Sequence, residues 1–155
     1  MQRRCLTVGL PLLALLALPA CGGDDDASPL ELTHLPTDDL SFVSPGSMVI
    51  RTAAAWTAFW DSHPDPRGAV SAPAVDFARH AVAGVFAGHK PRCQRLEIES
   101  GEYRAREVTL RWRIVSFGQS TPSSCIGSDP FVANLADLVL IPADATEVRF
   151  VELHA

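Results

Sequence analysis

Leu96 and Ile98 alternate with Arg95, Glu97 and Glu99, and Val108, Leu110, Trp112 and Ile114 alternate with Thr109, Arg111 and Arg113. A period of two marks a strand with one buried face. The two stretches predict an antiparallel hairpin, connected through Ser100 to Ala105 with a turn at Gly101. Every inward residue is even-numbered, so any pairing with an even sum puts both apolar sets on one face. Leu96 opposite Leu110 is one such register and Glu97 opposite Arg111 is another. The pattern does not choose between them.

Elsewhere the period changes. Trp56, Phe59 and Trp60 recur at i, i+3 and i+4, which predicts a short helix with three aromatics on one face. Thr52 suits its N-cap, and His63-Pro64 followed by Asp65-Pro66 should end it. A helix of two or three turns is not stable alone in water, so the aromatic face has to dock. Met48 to Ile50 predicts a strand before it. Residues 64 to 76, with Pro64, Pro66, Gly68 and Pro73, predict an irregular connection, after which Val75-Asp76-Phe77 resumes the apolar pattern. Ala81 to Ala87 is apolar on both parities, as a central strand buried on both faces would be. Gly118 to Pro130 predicts a polar loop. Leu135 to Ile141 and Glu147 to Leu153 predict two further strands. One aromatic-faced helix packed on a mainly antiparallel sheet of five to seven strands is an α+β domain.

The first twenty residues belong to a different regime. Arg3 and Arg4 precede an uncharged run from Cys5 to Ala20 that contains Pro11 and Pro19. A spanning helix needs about 20 apolar residues. A positive start, a short apolar core and a small residue at the end fit an export signal instead. Leu18-Pro19-Ala20-Cys21 resembles the lipobox of bacterial lipoproteins, which implies cleavage before Cys21 and a diacylglycerol on its thiol. An ordinary secretory signal cut near Ala20 is the alternative. The expected divisions are a lipoprotein signal peptide at 1–20, a lipidated Cys21 with an acidic disordered tether at 21–43, and a folded domain at 44–155. Gly22 after the cysteine favours the outer membrane or the periplasmic face.

Charge sharpens this division. The formal net charge is -5, but residues 21–40 hold six acids and no Lys or Arg, and the remainder is nearly neutral. A near-neutral domain has no electrostatic footprint for nucleic acid. With Cys5 removed and Cys21 lipidated, Cys93 and Cys125 remain in a compartment where disulfides persist. A structural disulfide between them is expected. Two free thiols, a metal pair and a catalytic cysteine are the alternatives, and no further Cys or His stands at ligand spacing.

The segments VIRTAAAWTAFW from Val49, VDFARHAVAGVFAGHKP from Val75 and IPADATEVRFVEL from Ile141, together with Cys93 and Cys125, resemble the C-terminal domain of the PrcB-like family. That family is named for a lipoprotein subunit of a protease complex. The likeness covers about 105 residues, Val49 to Leu153, and departs at Pro91-Arg92-Cys93-Gln94, where many members carry Thr-Gly-Gly-Tyr. It implies an exported, often lipid-anchored domain with no established enzymatic activity for the family at large.

Catalytic spacing is thin. His89 lies four residues before Cys93, with nothing to show an orienting third group. Serines 120, 123, 124 and 128 lack a nucleophile elbow. Glu97 and Glu99 alternate with arginines as on a solvated face. The expected function is a non-enzymatic module, without cofactor or metal, that is held at the membrane through Cys21 and binds or stabilises another envelope protein, a protease among the candidates. The alternative is an envelope hydrolase or small-ligand binder with a pocket between helix and sheet.

Overall fold

The computed structural model describes residues 26–37, 40–41, 43–63, 71–91, 93–116 and 132–154. Among these residues eight strands and one helix follow in the order β1 (Ser28–Leu30), β2 (Thr33–Leu35), β3 (Gly46–Ile50), α1 (Ala53–Ser62), β4 (His80–Pro91), β5 (Gln94–Arg104), β6 (Glu107–Ser116), β7 (Val132–Pro142) and β8 (Glu147–Glu152). They form two four-stranded sheets, ordered β1-β5-β6-β8 and β2-β7-β4-β3. All pairs are antiparallel except β6 with β8. The α+β class holds. The single expected sheet is two, with more strands.

The layers follow from side-chain parity. On β4, Ala81, Ala83 and Val85 face the other sheet, with Leu96, Ile98, Val108, Leu110, Val139 and Ile141 completing that core. Val82 and Phe86 point the opposite way, into a second core with Trp56, Phe59, Trp60 and Leu138. β4 is therefore apolar on both parities because it is buried on both faces. Gly84 fits between them, since a Cβ there would collide with Leu138 Cδ2.

α1 begins where expected: the Thr52 side chain accepts from Ala55 N at 3.2 Å. It ends at His63, the residue before Pro64. Trp56 stacks on Phe59 at 5.8 Å and meets Trp60 edge-on at 5.6 Å. Phe59 lies 5.9 Å from Phe86 of β4. All three helix aromatics are core, and at 150–250 Å² each they stabilise an otherwise marginal helix by several kcal/mol. Val75-Asp76-Phe77 leads into a turn rather than a strand.

The hairpin forms in neither proposed register. Leu96 faces Ile114 and Ile98 faces Trp112; beyond a bulge at Glu99, Gly101 faces Leu110 and Tyr103 faces Val108. The bulge inserts one residue and moves the inward set on β5 from even to odd numbers. Gly101 is not the turn. It lies within the strand, where a Cβ would meet Leu30 and Leu32 at 3.1 Å. The turn is Ala105-Arg106, both at positive φ (47° and 69°).

The expected tether at 21–43 is also corrected. From Ser28 onward it belongs to the fold, so the domain starts well before residue 44. β1 pairs with β5 and β2 with β7; Leu30 and Leu32 pack on the inter-sheet core, and Leu40 and Val43 are buried against the helix cluster. The chain passes from one sheet to the other between β1 and β2, closing one side of the sandwich. Among the described residues no helix is long and apolar enough to cross a membrane.

Candidate functional site

Two clefts deserve comparison: the seam closed by β1 and β2, and the open side between β8 and β3. β1 and β2 are three residues each, so they cover only part of β5 and β7. Beyond Gly101 on β5 and Leu138 on β7 the strand edges have no strand partner on that side among the described residues. Asp137, 8% exposed, fills this gap. Its Oδ2 accepts from Ile98 N at 2.7 Å, and its Oδ1 lies 2.8 Å from His34 Nδ1. Thr37 Oγ1 donates to Ala136 O at 3.2 Å, and Asn134 Nδ2 donates to Ser41 O at 2.8 Å. A hollow of about 490 Å³ beside these groups is lined in part by Arg95 and Glu97, which bond each other at 3.0 Å. The polar groups of the seam hold His34, Thr37 and Ser41 against β7.

The opposite side is apolar. β3 and β8 end their sheets, so each has one edge without a strand partner among the described residues. Between them opens a groove of about 510 Å³, walled by Val85, Ala87, Trp112, Ile114 and Phe150, with Lys90 and Glu152 among its lining residues. Trp112, Ile114 and Phe150 are only half-buried. Here the alternating hairpin pattern leaves apolar side chains that the sandwich does not fully cover. An extended segment could lie here with its side chains in the groove and its backbone on a strand edge. The space between helix and sheet, where a ligand pocket was the alternative expectation, is occupied by Trp56, Phe59 and Trp60.

The residues singled out in the sequence are scattered. Cys93 lies half-buried in the turn between β4 and β5 and has a bonded partner. Cys21, Cys125 and the serines at 120–128 lie outside the described residues. His89 sits on β4 opposite Asn134 and is also engaged. Glu97 and Glu99 form ion pairs with Arg95 and Arg113. Among the described residues no three His, Cys, Asp or Glu side chains converge to hold a metal. Sequence reasoning missed Asp137, although an acid inside LADLVLI was a signal: a carboxylate in a buried strand must be hydrogen-bonded.

No protein-family model matches the chain, and neither a curated protein nor a solved structure matches it.

Proposed function

We propose that this chain is an exported, lipid-anchored module that binds another cell-envelope protein through the groove between β3 and β8, and that it acts by binding rather than catalysis. The observation that carries the reading is the pairing of an apolar groove with a strand edge on each side. Such an edge supplies backbone donors and acceptors to an added strand, while the groove takes alternate side chains. The signal-like run ending in Leu18-Pro19-Ala20-Cys21 supports export and lipidation. The PrcB-like segments support a partner of the protease class as the narrower form of the proposal.

The Cys93–Cys125 disulfide belongs to the same reading. Gln94 faces Ser116 at the end of the hairpin, so Cys93 stands where the chain leaves β6 toward Cys125. A bond there would close a loop of roughly 30 residues and contribute about 3.5–4 kcal/mol in the chain-entropy model.

The test is co-purification from solubilised membranes, with wild type compared against Ile114→Glu and Phe150→Glu. A charge in the groove should abolish capture of the wild-type partner while thermal melts show a folded domain. Undiminished capture by both folded variants would overturn the groove as the binding site.

A further inference from the structure

We infer that the end of the domain carrying the Ala105-Arg106 turn is held toward the lipid headgroups, and that the groove faces away from them. The inference rests on the proposed lipidation of Cys21. Ser28, the first residue of β1, is seven positions beyond that cysteine. Whatever path the intervening residues take, seven residues span at most about 25 Å.

Ser28 has a defined place. It pairs with Tyr103, and its Oγ donates to Tyr103 O at 3.2 Å, one residue from the end of β5. The same end gathers the turn after β7: Thr146 N donates to Arg106 O at 2.8 Å, and Arg106 Nε donates to Asp144 O at 2.9 Å. The ten residues of β6 then run about 33 Å to the other end. Ile114 and Lys90 of the groove lie toward that far end, and Glu152, opposite Trp112, lies past the middle of β6. An anchor shorter than the domain is long prevents the far end from pointing straight at the bilayer with the near end raised above it.

Charge does not drive this arrangement. Arg51, Arg79, Arg104 and Arg106 at the near end share it with Glu31, Asp76, Glu107, Asp144 and Glu147. The turn is a two-residue hairpin connection with both residues at positive φ. The tether sets the orientation, so lengthening it should release it.

The test uses the full lipoprotein in vesicles of phosphatidylethanolamine and phosphatidylglycerol that carry a headgroup acceptor dye. A donor dye is placed at position 104 or 152 through a non-canonical amino acid, which leaves the cysteines untouched. Energy transfer should be at least twofold greater from 104 than from 152. A twenty-residue Gly/Ser insertion between Asp26 and Ala27 should remove that difference. Intact-mass measurement on the same preparation separates the two premises. A lipidated protein with equal transfer from both positions overturns the orientation alone. A protein without lipid on Cys21 overturns the anchor and the orientation with it.

Discussion

Asp137 commits both carboxylate oxygens to the fold, one to Ile98 N and one to His34. Removing it leaves a buried N–H without an acceptor, which is costlier than losing an average hydrogen bond. Asp137→Ala should lower stability by about 2–4 kcal/mol. Asp137→Asn keeps one carbonyl oxygen and should cost less; equal losses in urea denaturation would show that the bond to Ile98 is not the source. Tyr103, the only tyrosine in the chain, gives a second residue-scale prediction. Its hydroxyl donates to Asp144 Oδ2 at 2.8 Å, and this bond, with smaller contributions from burial and the Asp144 charge, raises its pKa above the ordinary value. A raised folded pKa favours the folded state below the unfolded value of about 10, and that contribution is lost as pH rises through the folded pKa. Phenolate absorbance should therefore appear above the usual range and move down in Asp144→Asn. An unchanged midpoint in that variant would remove the carboxylate as the cause.

Elements were legible to the extent that one local signal determined them. The helix carried three such signals: Thr52, the aromatic spacing and the prolines after it. Its burial in the structure leads to a firm expectation. Trp60→Ala should cost about 3–5 kcal/mol in thermal or urea unfolding, as for other buried large-to-small changes. Thr52→Ala, which removes only the cap bond, should cost about 1 kcal/mol. Comparable losses from both would mean that docking of the aromatic face contributes far less than its burial suggests. The hairpin shows the opposite case. Its strands were readable from alternation, but its register depended on three residues with no alternation signal, two in the turn and one in a bulge. Ala105-Arg106 lacks the Asn-Gly or Asp-Gly composition that marks two-residue turns, and Glu99 hides a bulge inside an otherwise regular pattern. Gly101 attracted the turn assignment because glycine marks turns more often than it marks a close approach. Its actual constraint, contact with Leu30 and Leu32, comes from a segment far away in the chain.

At the scale of the molecule, composition misled where pattern could have helped. Residues 21–43 are acidic and contain prolines, which reads as a tether, yet Leu30, Leu32, Leu35, Leu40 and Val43 recur through the second half of that segment. In the structure they close the seam and cap the helix cluster. A protein beginning at Ser44 would lose β1 and β2, the buried Leu40 and Val43, and the His34 partner of Asp137. Burial of one leucine or valine side chain is worth about 1.5–3 kcal/mol, so losing Leu40 and Val43 alone removes about 3–6 kcal/mol. That is comparable to the whole stability of many domains, about 5–15 kcal/mol. The shortened protein would also expose the β5 and β7 edges, which favours aggregation. A protein starting at Asp26 should give a cooperative melt and remain monomeric, whereas one starting at Ser44 should melt at much lower temperature or aggregate. Equal melts for the two would mean that β1 and β2 lie on the domain without stabilising it. The seven-residue limit on the anchor would then fail as well, because a detached β1 would lengthen the tether to residue 43.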